Sequence, residues 1–271
     1  MKNRLSPSPG RIFYLDIARA LAIISITLNH AVNRSYRNYH GQMAEFLSIP
    51  VYSTLIKTFV TVFSRLGVPL FLMITGVLIL NKQFQTGKDI RRFYRHNLLS
   101  LFITAEIWYV LIYWYLLLFS PGRGQFQLLP ALVGMVETML FQNQLTFDGM
   151  WYMPMILCVY LFLPYLSMLK DRLTGADRRI LMVPCAAIFT VAMVMPFISN
   201  LRLLLGMERY TSGIELVNLP IFYYLYILIG YMVSQGALGR YRTVHIIAVT
   251  AGSFLICCGF QFWAYSRPAE Y

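Results

Sequence analysis

Charge is what this chain has least of. Only 13% of its 271 residues are Asp, Glu, Lys or Arg, where a soluble domain carries roughly 25%. That shortfall excludes an ordinary water-facing globule. Apolar residues make up 58% of the chain, and they come in unbroken runs long enough to cross about 30 Å of hydrocarbon. Acidic residues are scarcer still, 11 against 23 Lys and Arg, for a net charge of +12. A basic excess of this size also marks nucleic-acid-binding domains. Here the cations fall in short segments between apolar runs, so they read as topology signals and no nucleic acid is expected. The four cysteines (Cys158, Cys185, Cys257 and Cys258) all lie inside apolar runs. None has metal-ligand spacing with a histidine, so no disulfide framework and no metal site is expected. They read as small hydrophobes. No cleavable signal-peptide pattern is present, because the first apolar run is too long and lacks a small-residue cleavage site. No two-halved repeat of the transporter kind is visible.

The apolar runs predict an all-α, polytopic transmembrane helix bundle of about seven spans in a single integral membrane domain, 1–271. The spans are expected near 12–32, 60–80, 98–119, 149–169, 180–198, 219–235 and 244–264. An amphipathic stretch (46–64) leads into the second, and a short apolar piece (130–141) reads as interfacial. Putting the N-terminus in the cytoplasm places fourteen cations inside: Lys2, Arg4, Arg11, Lys82, Lys88, Arg91, Arg92, Arg95, Lys170, Arg172, Arg178, Arg179, Arg240 and Arg242. Eight fall outside: Arg34, Arg37, Lys57, Arg65, Arg123, Arg202, Arg209 and Arg267. The bias supports a cytoplasmic N-terminus. Trp108, Tyr113, Trp114, Trp151 and Tyr152 cluster near run ends, as an aromatic belt would.

Ionisable groups inside a membrane are costly, so each is a functional-site hypothesis. The first span holds Asp16, Arg19 and His30. Asp16 and Arg19 are three apart and share a helix face, which suits a local ion pair. Arg19 and His30 are eleven apart, close to three full helical turns, so both look the same way and are separated by roughly 16 Å along the axis. Arg19 is then in the cytoplasmic half and His30 near the outer end. Alone, either has a plain structural reading: Arg19 snorkels to headgroups and His30 sits at the interface. The shared face points both into one bundle interior, where a neutral imidazole suits general-base work. Glu106, well inside the third span, pairs with Arg19, orients His30 or belongs to a structural ion pair; the sequence leaves this open. Arg92 and Arg95 are three apart, so a helix sets both guanidinium groups on one side for bidentate phosphate contacts. The competing reading is a stop-transfer cluster attracted to anionic lipid, and charge alone favours it.

Leu15-Asp16-Ile17-Ala18-Arg19, with an apolar run ending at Asn29-His30, resembles the opening of the acyltransferase-3 family of membrane proteins, including its Arg-to-His spacing. Gly67-Val68-Pro69-Leu70-Phe71-Leu72-Met73-Ile74-Thr75-Gly76 resembles the family's second-span segment, with Thr75 in place of the usual serine. Arg91-Arg92-Phe93-Tyr94-Arg95 resembles its basic element. Met150-Trp151-Tyr152 through Pro164, and Phe222-Tyr223-Tyr224 through Gly230-Tyr231, resemble later spans. Each motif is loose, but the ordered set is specific and covers about 12–235. With Pro69, the segment is most similar to inner-membrane O-acetyltransferases of surface polysaccharide.

The resemblance implies an enzyme that takes an acetyl group from cytoplasmic acetyl-CoA, with no permanently bound cofactor, and gives it to a hydroxyl of a glycan or lipid-linked sugar. It implies His30 as base, with Arg19, Asp16 and Glu106 as catalytic partners. It also implies Arg91, Arg92 and Arg95 as the CoA grip, and Arg65 and Trp151 on the acceptor side. Family members usually have more spans than are read here, which leaves a short member, a C-terminally truncated product or a decayed copy as readings. The rival functions are a transporter or exporter of a polysaccharide or acyl-bearing substrate, and a non-catalytic membrane subunit.

Overall fold

In hydrocarbon no water is present to satisfy peptide groups, so an apolar run must close its N–H and C=O groups along itself as a helix. The computed structural model describes residues 13–35, 50–119, 127–142, 150–172 and 221–265, with short pieces between 183 and 207. Among the described residues there is helix and no strand. The helices are α1 (Phe13–Ser35), α2 (Val51–Ser64), α3 (Gly67–Ile79), α4 (Gly87–Phe93), α5 (Leu99–Phe119), α6 (Leu128–Met139), α7 (Tyr152–Arg172), α8 (Ile221–Ser234) and α9 (Thr243–Tyr265). A π-helical turn, Tyr94–Leu98, carries α4 directly into α5.

Five helical runs are long and apolar enough to cross a membrane: Phe13–Val32, Val51–Ile79, Gly87–Phe119, Tyr152–Arg172 and Thr243–Trp263. They occupy the places expected for spans one, two, three, four and seven. The expected sixth span is α8, whose 14 residues fall short of the about 20 that a perpendicular crossing takes. The expected fifth span falls largely outside the described residues, as do Lys2, Arg4, Arg11 and several other loop cations. The count of seven and the cytoplasmic N-terminus therefore rest on the sequence alone.

The second span departs from the sequence reading. Helix begins at Val51, and Arg65-Leu66 form a turn inside the run. Lys57, counted above as an outer loop cation, sits mid-helix in α2 and is 5% exposed. The physical reason is an inverted face. The buried residues of α2 are Thr54, Lys57, Thr58, Thr61 and Ser64, while Val51, Tyr52, Leu55, Ile56 and Phe59 are exposed. A helix facing lipid turns its apolar side outward and spends its polar side on neighbouring helices. Lys170 is a second case. Read as a loop cation, it is buried at the end of α7, where its ammonium donates to the carbonyl of Leu80 and pairs with Asp171 at 2.8 Å. A cation at the carbonyl end of α3 meets the negative end of the helix dipole.

The chain forms two compact units, residues 1–77 with 226–271, and residues 78–225. In the first, α2 packs between α1 and α9, with Phe59 edge-on to Phe254 at 5.2 Å. There α3 and α8 cross backbone to backbone. A methyl on Gly76 would overlap the carbonyl of Ile227, and one on Gly230 would overlap that of Met73. Small residues at such crossings let helices without a hydrophobic drive gain close packing. In the second unit α5 packs on α6 and α7 around Ala105, Tyr109, Met150 and Leu157. Tyr113 donates to the Ala131 carbonyl at 2.8 Å, and Trp114 Nε1 approaches Met135 Sδ at 3.3 Å. These two aromatics hold α6 rather than serving only as an interfacial belt.

Candidate functional site

The first-helix stripe forms as its spacing required. Arg19 donates to Asp16 at 2.9 Å, one turn away. Since α1 is unbroken from Phe13 to Ser35, the register that aligns Arg19 with His30 is kept. Both are half-buried, and Ala22 and Ser25 between them are fully buried. The Ser25 hydroxyl has no hydrogen-bond partner among the described residues, an orphan that a native interior rarely keeps without a use. At the far end of the stripe the Ser64 hydroxyl lies 3.2 Å from Asn29 Oδ1 and 2.8 Å from the Thr61 carbonyl. A methyl on Gly67 would press on Ile26 and on the Ala22 carbonyl, so α3 starts tight against α1. These two contacts bring the α2–α3 turn, with exposed Arg65, alongside the Asn29-His30 end of the stripe. Thr75, the variant position in the motif, bonds its own helix at Phe71 O, 2.9 Å away.

In the other unit the basic segment is built by a cap. Thr86 and Asp89 form a capping box, with the Thr86 amide donating to the Asp89 carboxylate at 2.9 Å. This starts α4 at a fixed residue. The π turn that follows carries an extra residue per turn. Arg91 and Arg95 border one cavity, of about 600 Å³. Arg92 borders another, of about 420 Å³, together with Lys82, Asp89, His96 and Asn97. The sequence reading joined Arg92 to Arg95, with Arg91 beside them; in the structure Arg91 and Arg95 border one cavity and Arg92 the other.

Glu106 is 9% exposed, and neither carboxylate oxygen has a hydrogen-bond partner among the described residues. It lies one turn from Tyr109, whose hydroxyl donates to the Met150 carbonyl at 3.0 Å. Trp151, at the start of α7, is exposed and lies 6.4 Å from the Tyr223 ring. Among the described residues no group of three or more His, Cys, Asp or Glu is placed to hold a metal ion.

A family model described as an acyltransferase domain, acyltransferase-3, matches residues 12–270. The chain belongs to the acyltransferase-3 family. No curated protein and no solved structure matches it. The family match runs past the limit near 235 drawn from motifs, so α9 is part of the acyltransferase domain and not an appendage. With five long apolar helices, this member is a multi-pass membrane acyltransferase. The motif reading did not point to two features of the acyltransferase. One is the burial of the polar face of α2 (Thr54, Thr58, Thr61, Ser64), in a stretch read as amphipathic but not as part of a span. The other is the division of the arginines between two cavities, which no residue type announces.

Proposed function

We propose that this acyltransferase is an O-acetyltransferase that moves acetyl from cytoplasmic acetyl-CoA to a hydroxyl of a surface glycan or lipid-linked sugar. The observation that carries the reading is the ordered stripe on α1. Arg19 is fixed by Asp16, and His30 lies on the same side of one unbroken helix, next to a turn that presents Arg65. His30 takes the proton from the acceptor hydroxyl as that oxygen attacks the thioester carbonyl. The tetrahedral intermediate collapses, the carbon–sulfur bond breaks, and the imidazolium returns the proton to the departing CoA thiolate. Asp16 accepts from one nitrogen of Arg19, which leaves other guanidinium donors to grip the CoA arm on the cytoplasmic side of His30. The cavity of Arg92, Lys82 and His96 takes the phosphates of CoA. Glu106, with unsatisfied oxygens, takes amide N–H groups of the pantetheine arm. Arg65 meets an anionic acceptor, and Trp151 with Tyr223 offers an aromatic face to a sugar ring. The enzyme resides in the inner membrane, with its N-terminus in the cytoplasm.

The test uses protein in lipid nanodiscs with acetyl-labelled acetyl-CoA and glycan acceptors. Label on the acceptor in the wild type, and none with His30→Ala of equal insertion, is the expected result. Acceptor movement across the bilayer without label transfer would replace the enzyme with a transporter.

A further inference from the structure

The larger cavity beside the basic segment is left unused by the reaction. Its rim is formed by Arg91, Tyr94 and Arg95, and its body by Leu98, Phe102, Leu157, Leu161 and Phe141. Three observations bear on what fills it. The first is depth. The run Gly87–Phe119 has 33 residues, more than the about 20 needed to cross hydrocarbon. Its charges are concentrated at Lys88, Asp89, Arg91, Arg92, Arg95 and His96. The first turns therefore stand among headgroups, and the hydrocarbon begins near Leu98. The second is direction. Leu99, Phe102 and Leu161, which border the cavity, are 48%, 40% and 43% exposed, so the groove opens sideways toward lipid, not toward water. The third is construction. Tyr94 of the π turn donates to the Leu161 carbonyl at 2.7 Å and ties the rim to α7. Phe141 closes the wall from a left-handed backbone (φ 56°), the only such non-glycine among the described residues, with its ring edge-on to Tyr109 at 5.4 Å.

We propose that this groove is a binding site for an anionic phospholipid, with its phosphate on Arg91 and Arg95 and one acyl chain along Leu98 and Phe102. Two guanidinium groups at headgroup level match a phosphate in charge and geometry. The apolar body below them matches a hydrocarbon chain and offers nothing to a nucleotide. The site is separate from the CoA cavity of Arg92 and does not depend on that assignment.

Native mass spectrometry of the full chain, released from neutral detergent with graded phosphatidylglycerol or phosphatidylcholine, tests it. The wild type is expected to retain phosphatidylglycerol in preference to phosphatidylcholine. Arg91→Gln with Arg95→Gln should remove that preference, about fivefold for each arginine. Phe102→Trp should weaken retention with both arginines intact, and Arg91→Lys with Arg95→Lys should keep most of it, which guards against simple misfolding. Equal retention of the two lipids by the wild type would overturn the proposal. So would displacement of phosphatidylglycerol by saturating CoA, which would give the groove to the thioester donor. Loss of CoA binding in Arg92→Gln with lipid retention unchanged supports separate sites. Unchanged CoA binding there would remove Arg92 from the donor site and leave the lipid site standing.

Discussion

His30 and Arg19 behave as a pair whose distance is set by a helix rather than by contact. Replacing His30 with Ala removes the base and nothing that holds α1, so acyl transfer should fall by about 10²–10⁴-fold while membrane insertion, read by protease protection, stays normal. Asp16→Asn should leave Arg19 without its 2.9 Å partner. The expected outcome is a rise in KM for acetyl-CoA larger than any drop in kcat, since the guanidinium is then free to leave the CoA arm. An unaltered KM would mean the ion pair serves insertion only. Local pairs of this kind were legible because a spacing of three on a helix decides who meets whom. Lys57 was not. A charge in a polar stretch reads as loop, and only the burial of Thr54, Thr58 and Thr61 beside it reveals an inward face.

Among the helices, the first, fourth and seventh runs and the far ends of the second and third were legible to within a few residues, because hydrocarbon sets both length and composition; the second and third begin at Val51 and Gly87, well ahead of the starts expected near 60 and 98. The breaks inside runs were not legible. Arg65-Leu66 and the Tyr94–Leu98 turn depend on how neighbouring helices take up the freed backbone groups, which no single segment encodes. The Arg19 and His30 alignment needs only an unbroken helix, whereas Arg92 and Arg95 flank the start of the π turn and border different cavities. The crossing of α3 and α8 makes a sharp prediction. At Gly76 and Gly230 the obstacle to a side chain is backbone carbonyl, which cannot swing aside. Gly76→Leu and Gly230→Leu should each exceed the about 1–3 kcal/mol typical of an overpacked site, seen as loss of a monodisperse peak after detergent extraction. Asp89→Ala should be milder. Losing its half of the capping box should loosen the start of α4, read as faster amide exchange at residues 87–90 with the α5 amides unchanged.

At the scale of the molecule, the two compact units are not two stretches of sequence. The first is made from residues 1–77 and 226–271, and the second is the block between them. The chain leaves the ribosome from one end, so the helix bearing His30 enters the bilayer while α8 and α9, the partners of α3 and α2, have yet to be made. Residues 78–225 must be translated first, which at about 5–20 residues per second takes roughly 7–30 s. During that interval the polar inward side of α2 has α1 alone for company, and Gly76 of α3 faces lipid instead of a partner. A nascent chain arrested before residue 226 should therefore be a ready target for membrane proteases in its amino-terminal part, and release of a chain that includes α8 and α9 should end that susceptibility.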